Sequence, residues 1–349
     1  MKAKLTEPIY RYQQLWTANE EYANYRIPGM LVTQKGTLLT YCEARRSAND
    51  WGMMDVILQR SEDHGITFQP PMYIARGTEA HPTVNNPVLV QDLNGRIHFL
   101  YCEDYAVKGG RVLHRYSEDD GLSWSEPIDI TAATVPHLRS VFALGPGHGI
   151  VSRDGTLIIP VWMVPKRFQT PSTAHYPSEI STLYSKDNGK TWAMGDILET
   201  TRDVISPNET VAAVTSDGQI YLNIRNKAFH RAHAYSATGY SGWRSYEPDY
   251  NLPDPGCFGS LAVIDDGNHP YSLLFANCAE QTARTKVTVR LSTDDGRTFP
   301  VAKLIDNERG GYCELAVDNE NGLIYLLYEE LHGKADHLVT FNYQWLTQA

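Results

Sequence analysis

The sequence predicts an all-β fold, a six-bladed β-propeller in a single domain over residues 1–349, and three observations lead to this prediction. Helical periodicity is hard to find, whereas short apolar runs bounded by Gly, Asp, Asn and Pro recur throughout the chain. One turn motif is repeated along the sequence. Its copies lie about 50 to 70 residues apart, which is the size of a four-stranded blade, so six blades account for the whole chain.

Six of the apolar runs are predicted to be buried strands, because each is short and follows a turn signal. They are GTLLTYCEA, GRIHFLYCED, GTLIIPVWMV, GQIYLNIRN, YSLLFANC and GLIYLLYEE.

The repeated motif has the form S-x-D-x-G-x-[ST]-[WF] and occurs at residues 61–68, 117–124, 185–192 and 292–299. Its Asp can accept hydrogen bonds from the turn, its Gly supplies a positive φ, and its aromatic residue packs the hairpin against the blade. We therefore predict a structural role on the outer rim for the motif carboxylates Asp63, Asp119, Asp187 and Asp294.

A fifth copy of the motif, SATGYSGW at residues 236–243, is degenerate. Thr238 and Tyr240 stand where the other copies have Asp and Gly. This turn must be built differently, and we expect it to be the least regular of the hairpins.

Charge and composition exclude several classes of protein. The formal net charge is −10 and the Lys and Arg residues are scattered, so no surface for nucleic acid or an anionic membrane is predicted. Any positive charge that binds an anionic ligand must be local. No apolar run approaches the roughly 18 residues that span a bilayer.

The N-terminal sequence lacks the apolar core of a signal peptide, and the five cysteines form no C-x-x-C pair. Both features favour a reducing cytoplasmic location, unless a leader has been removed. The closest histidines, His230 and His233, have no acidic partner in a recognised pattern, so neither a metal nor a cofactor is predicted. The oligomeric state is not predicted.

Three further passages occur in order along the chain: YRIPGM at 25–30, GPGHGI at 145–150 and GYCELAV at 311–317. Together with the repeated turns they resemble the sialidase (neuraminidase) family with Asp-box (BNR) repeats, of the bacterial exo-α-sialidase type. The resemblance implies a glycoside hydrolase that removes terminal sialic acid from glycoconjugates.

The resemblance also implies a cluster of three arginines. Sialic acid carries a carboxylate on its anomeric carbon, and the planar guanidinium group binds such a carboxylate bidentately. Arg26 of YRIP, Arg225 at the end of GQIYLNIRN and Arg284 match the three positions of the family.

The substrate carboxylate would repel an Asp or Glu nucleophile, and sialidases attack with a Tyr instead. Tyr312 of GYCELAV matches this position. A phenol with a pKa of about 10 needs a base to remove its proton. Glu209, which lies upstream of Arg225, fits the role of that base.

The general acid of the family is an Asp between the R-I-P strand and the first repeat. Asp50 and Asp55 are the candidates, and we favour Asp50 because it lies in a polar loop, whereas Asp55 begins a predicted strand. Arg45 is expected to contact a ring substituent or to orient Asp50, with Arg46 as the alternative.

Three other residues are expected near the site. Glu43 and Glu329 are predicted to support the arginines through salt bridges. Trp51 either packs on the sugar or caps its own loop, and the sequence does not decide between them.

Three alternative functions stay open. A glycosidase for a deaminated sialic acid would keep the same catalytic residues, and a trans-sialidase would need an aromatic acceptor site. A non-catalytic glycan-binding propeller is the alternative from another class. It would have no need of Asp50 or of the Tyr312 and Glu209 pair, so we favour the enzyme.

Overall fold

A computed structural model describes residues 7–104, 110–171, 174–330 and 333–348 of the chain. The strands form six separate sheets of four or five strands each. The predicted all-β, six-bladed propeller is therefore confirmed.

The first three blades follow the N-terminal strand β1 (Tyr10–Thr17) in chain order. Blade 1 contains β2 (Asn24–Val32), β3 (Leu38–Arg45), β4 (Met54–Ser61) and β5 (Met72–Arg76). Blade 2 contains β6 (Val84–Gln91), β7 (Ile97–Glu103), β8 (Arg111–Ser117) and β9 (Ile128–Asp129). Blade 3 contains β10 (Arg139–Leu144), β13 (Leu157–Pro165), β14 (Glu179–Ser185) and β15 (Ala193–Met194). Between β10 and β13, β11 (Gly147–His148) pairs in parallel with β6, and β12 (Ile150–Val151) pairs with β13.

The last three blades have the same antiparallel order. Blade 4 contains β16 (Thr210–Val214), β17 (Ile220–Ile224), β18 (His230–Ser236) and β19 (Arg244–Pro253). Blade 5 contains β20 (Ser260–Ile264), β21 (Ser272–Cys278), β22 (Val287–Ser292) and β23 (Val301–Asp306). Blade 6 contains β24 (Cys313–Asp318), β25 (Leu323–Glu329) and β26 (Ala335–Asn342). The described helices are one α-helix, Tyr343–Thr347, and two 3₁₀ turns, Thr131–Thr134 and Lys166–Phe168.

The N-terminal strand completes the last blade. β1 pairs antiparallel with β26, from Tyr10 opposite Phe341 to Thr17 opposite Ala335. The two ends of the ring are thus joined by strand pairing, which leaves β1 as the outer strand of blade 6.

The six predicted buried runs form the second strands of the six blades, β3, β7, β13, β17, β21 and β25. Every residue of β3, β13 and β25 is buried. A second strand has a strand on either side and other blades packed over the sheet, so both of its faces are apolar. This position explains why these segments read as continuous apolar runs.

The repeated motif begins at the last residue of the third strand of its blade. In blade 3 the Ser185 hydroxyl donates to Asp187 Oδ1 at 2.8 Å and accepts from the Gly189 amide at 2.9 Å. The Thr191 amide and hydroxyl donate to the two Asp187 oxygens at 2.8 and 2.6 Å. The same side-chain bonds recur at Asp63, Asp119 and Asp294, and they support the structural role predicted for these carboxylates.

The motif glycine also contacts the preceding blade. Gly189 has φ +76°, and a Cβ added to it would lie 2.5 Å from the ring of His98 in blade 2. Gly121 and Gly296 approach Leu39 and Tyr221 of their preceding blades in the same way. The turns of the repeated motif therefore fill the space between blades as well as closing their own hairpins.

The fifth turn is built differently, as expected. The Thr238 hydroxyl accepts from the Ser241 amide at 3.1 Å, where the other copies use a carboxylate. Gly239 has φ +76° and its amide donates to Ser236 Oγ, so the glycine comes one residue earlier than in the other turns.

One face of the propeller gathers residues that are distant in sequence. The first strand of each blade begins at this face and the second strand ends there, because the two run antiparallel. Arg26 near the start of β2, Arg45 at the end of β3, Arg225 after β17 and Tyr312 before β24 all lie at this face, which we call the upper face.

An ion pair joins the innermost strands of two blades. His148 on β11 contacts Glu314 of β24 at 2.6 Å between Nδ1 and Oε1, and Glu314 is fully buried. Burial lowers the pKa of His148, but the Glu314 charge outweighs this effect and raises the pKa above its usual value. The passages GPGHGI and GYCELAV thus meet in the centre of the fold.

Among the described residues, no helix has the length and hydropathy that crossing a lipid bilayer requires.

We expect Gly189→Ala to lower the free energy of unfolding by about 2–4 kcal/mol, because it adds a clash with His98 to the strain of a left-handed residue. Gly267→Ala is the matched control, since Gly267 has φ +68° and open space around its Cβ position. It should lose only about 1 kcal/mol. Urea unfolding monitored by tryptophan fluorescence measures both, and equal losses would contradict the interblade role of Gly189.

Candidate active site

Tyr312 lies at the centre of the predicted site. It directly precedes β24, its side chain is 6% exposed, and its hydroxyl donates to Glu209 Oε1 at 2.5 Å. Glu209 directly precedes β16, so two first strands of different blades place the phenol against the carboxylate. The pair predicted from the sequence is therefore in direct contact, and it has the geometry of a nucleophile with its base.

Three arginines surround Tyr312. Arg225 donates to the Tyr312 hydroxyl at 3.0 Å and pairs with Glu209. The guanidinium carbons of Arg26 and Arg284 lie 5.2 and 5.4 Å from the centroid of the Tyr312 ring. Strands or loops of blades 1, 4 and 5 thus bring the three predicted arginines together, and they supply the local positive charge that an acidic chain needs to bind an anion.

Glu329 holds Arg26 in place. Its Oε1 accepts from Arg26 Nε at 2.9 Å and from the Ile27 amide at 2.7 Å, while Oε2 accepts from the Tyr312 amide at 3.2 Å. Glu329 is 1% exposed. The same carboxylate therefore fixes both the arginine and the backbone of the tyrosine, in agreement with the supporting role predicted for it.

Burial raises the pKa of Tyr312 well above its usual range, and the Glu209 charge raises it further. Arg225, Arg284 and Arg26 act in the opposite direction without reversing the shift. The phenol is thus protonated in the free site at neutral pH, and Glu209 is placed to accept its proton.

Asp50 and Arg45 form a second pair at the upper face. Arg45 donates to Asp50 Oδ1 at 2.5 Å and to Glu43 Oε2 at 2.7 Å. Glu43 is fully buried and also accepts from the Asn86 amide at 2.7 Å. The Asp50 side chain is 43% exposed, so its carboxyl group is accessible in the loop after β3.

Burial alone would raise the pKa of Asp50, but the adjacent Arg45 outweighs this effect and lowers the pKa below the usual value of an aspartate. Arg26 contributes in the same direction. In the free site Asp50 is therefore an anion.

The two alternative residues face elsewhere. Asp55 is buried in β4, where it accepts from the Tyr22 hydroxyl at 2.7 Å and from the Gly77 amide at 3.1 Å. Arg46 is directed toward Asp55 at 3.6 Å. Asp55 is therefore held inside blade 1 and Arg46 lies next to it, which favours Asp50 and Arg45 for the predicted roles.

Trp51 is half-buried and its ring lies 5.2 Å from that of His175. His175 also meets Trp162 edge to face at 5.7 Å. Burial lowers the pKa of His175, although the charges of Asp50 and Glu209 act in the opposite direction. Trp51 thus packs within an aromatic wall beside Asp50, an arrangement compatible with both predicted roles.

Sequence reasoning missed His175 and Tyr176. The Tyr176 hydroxyl accepts from Arg225 at 3.1 Å, and Lys227 lies 3.5 Å from the centroid of the Tyr176 ring. The two residues lie in the segment before β14, which carries none of the repeated motifs. They can be identified only from the three-dimensional structure, in which Tyr176 contacts Arg225.

The side chain of His230 contacts Gln281, and that of His233 contacts Glu247. In the described part of the chain, one group offers three metal-type ligands within 4.8 Å of one another: His81, Glu103 and Asp104. Arg111 also pairs with Glu103 of that group. The absence of a metal stays a prediction.

Comparisons with known proteins identify the family of the chain. The family model of the BNR repeat-like domain matches residues 36–326. The chain is 32% identical to a sialidase of Micromonospora viridifaciens, covering 97% of this chain and 55% of that protein. It is 28% identical to an exo-alpha-sialidase of Arthroderma benhamiae, covering 93% and 85%. The chain thus spans about half the length of the Micromonospora relative.

Among solved structures, the chain is similar to the Hadza microbial sialidase Hz136 with a TM-score of 0.82. The two are 23% identical, and the match covers 94% of this chain and 67% of that one. At this identity the likeness supports the fold. The family match over most of the chain and the sequence relatives show more: the chain belongs to the sialidase family with BNR repeats.

Proposed function

We propose that the protein is a retaining exo-α-sialidase that hydrolyses terminal sialic acid from glycans. The observation that carries this proposal is the 2.5 Å contact between the Tyr312 hydroxyl and Glu209, surrounded by Arg26, Arg225 and Arg284. A binding protein could use the arginines alone. A tyrosine that is held against a carboxylate and surrounded by three arginines fits a nucleophile with its base, and a binding site needs no such pair.

The three arginines bind the carboxylate of the sugar. Each charged hydrogen bond contributes about 1.5–3 kcal/mol, and this binding sets the anomeric carbon beside Tyr312. As the phenol oxygen bonds to that carbon, its proton passes to Glu209. Because a neutral phenol approaches an anionic sugar, no like charges have to be brought together.

Asp50 is the proposed general acid. It donates a proton to the glycosidic oxygen as that bond breaks, which leaves the sugar bound to Tyr312. The Asp50 carboxylate then takes a proton from water as the water attacks the anomeric carbon, and Tyr312 departs with the proton held by Glu209. Two displacements give retention of configuration.

Bound substrate prepares Asp50 for this role. Arg45 and Arg26 lower its pKa in the free site. A substrate carboxylate bound to Arg26 offsets part of that positive charge, so the pKa of Asp50 rises when the site is filled. The acid is thereby protonated more readily in the complex than in the free protein.

The first test of the proposed function concerns the nucleophile. The wild type should release fluorophore from 4-methylumbelliferyl α-N-acetylneuraminide, and Tyr312→Phe should lose this activity because it cannot form the covalent bond. Tyr116→Phe, on blade 2 and outside the site, is the control and should keep it. A wild type that turns over neither this substrate nor its deaminated analogue would favour a glycan-binding propeller.

The second prediction concerns the acid. Asp50→Asn should lose about 10²- to 10⁴-fold in rate on 3′-sialyllactose. The loss should be much smaller on the aryl glycoside, whose leaving group needs no proton. Asp55→Asn tests the alternative and should affect stability without this difference between substrates. Equal losses of Asp50→Asn on both substrates would contradict its role as the acid.

The third prediction concerns pH. In a Glu43→Gln, Arg45→Met double variant, loss of the Arg45 charge raises the pKa of Asp50. Because the acid must be protonated, the basic limb of the kcat/KM profile on 3′-sialyllactose should move to higher pH. Glu43→Gln alone keeps Arg45 and serves as the control. An unmoved limb would show that Arg45 does not set the pKa of the acid.

A further inference from the structure

An exposed aromatic surface lies on the upper face at blade 4, beside blade 5. It consists of Phe229, His230, Tyr250 and Gln281, and we call it the aromatic rim. The third strand of a blade begins at the upper face and the fourth strand ends there. His230 is the first residue of β18, and Tyr250 lies close to the end of β19, so the rim shares a face with Tyr312.

A bulge presents Tyr250 to solvent. Arg231 pairs with Asp249 and His230 with Pro253, so residues 250–252 stand out of the ladder between β18 and β19. Bulges of this kind re-aim side chains and occur often beside active sites. The Tyr250 side chain is 69% exposed and meets the His230 ring edge to face at 5.3 Å.

Phe229 adds a second exposed ring in a strained conformation. It is 54% exposed and has φ +61°, a region that bulky residues rarely adopt. Its carbonyl accepts from the Asp254 amide at 3.1 Å, which holds the strained turn. An exposed phenylalanine in such a turn gains little from core packing, so a surface role accounts for it better.

Two chain connections link the aromatic rim to the arginine cluster. Phe229 follows Arg225 by a few residues in the same β17–β18 connection. Gln281 precedes Arg284 in the β21–β22 connection, and its Nε2 lies 2.9 Å from His230 Nε2. The connections that carry two of the three arginines therefore also carry Phe229 and Gln281, and the contact between Gln281 and His230 joins them at the rim.

We infer that the aromatic rim binds the neutral sugars that follow sialic acid in the glycan, an inference that rests on the proposed function. The apolar face of a pyranose packs on exposed aromatic rings, and His230 and Gln281 provide hydrogen-bonding groups for its hydroxyls. The rim contains no Asp, Glu, Lys or Arg, as suits a neutral sugar. The site is thus a receptor for a saccharide leaving group.

The inference is tested by comparing two substrates that share sialic acid and differ in the leaving group. Tyr250→Ala should lower the ratio of kcat/KM for 3′-sialyllactose to that for the aryl glycoside by on the order of tenfold. Phe229→Ala should act in the same direction, whereas Tyr250→Phe should keep the ratio because the ring remains. Leu122→Ala, exposed in a turn of the lower face, is the control for loss of an exposed apolar side chain.

A binding measurement separates failure of this inference from failure of the proposed function. In saturation-transfer NMR with Tyr312→Phe, the lactose protons of 3′-sialyllactose should receive saturation, and adding Tyr250→Ala should abolish it while the sialic acid signals remain. This readout needs no turnover. An unchanged substrate ratio together with unchanged lactose signals overturns the aromatic rim as a sugar site. A wild type inactive on both substrates overturns the proposed function alone.

Discussion

The site depends on one electrostatic constraint: several arginines lie close together, and their mutual repulsion must be offset by nearby negative charge. Three of these guanidinium groups each have a carboxylate partner: Glu329 for Arg26, Glu43 for Arg45 and Glu209 for Arg225. The three carboxylates are buried, where an unpaired charge would cost several kcal/mol. Asp336 lies opposite Glu329 across β25 and β26, and burial raises its pKa well above the usual range. This shift favours the protonated form of Asp336 next to the contact between Glu329 and Arg26.

The propeller makes this charge arrangement possible because it brings chain positions that are far apart to one face. Arg26 and Glu329 come from the first and last blades, and β1 closes the ring between them by pairing with β26. The His148 and Glu314 pair ties β11 to β24 beneath the site. The structural turns act on the opposite face, where motif glycines pack against the preceding blades. Chemistry and interblade packing thus occupy opposite ends of the same strands.

Much of this arrangement could be predicted from the sequence because it depends on local sequence patterns. The repeated turns gave the blade count, and the continuous apolar runs proved to be second strands, since those positions are buried on both faces. The loop position of Asp50 and the strand position of Asp55 were both predictable, because a polar loop and the start of a strand differ in sequence. Other features have no local pattern. His175 reaches the site through a connection without a motif, and the bulge at residues 250–252 depends on how β19 pairs with β18. Such features follow from pairing in space, which one sequence does not encode locally.

The same charges make the pKa values of Asp50 and Tyr312 differ between the free site and a site that holds an anionic sugar. In the free site Asp50 is an anion because Arg45 lowers its pKa, and Tyr312 is a neutral phenol because burial raises its pKa. An anionic sugar bound to the arginines reverses part of the first effect and strengthens the second. In the proposed mechanism, Asp50 then gains the proton that it donates, while Tyr312 keeps its own until Glu209 accepts it during attack. Under the proposed function, the substrate charge that disfavours a carboxylate nucleophile is therefore also the charge that raises the pKa of the acid, and one constraint accounts for both choices of residue.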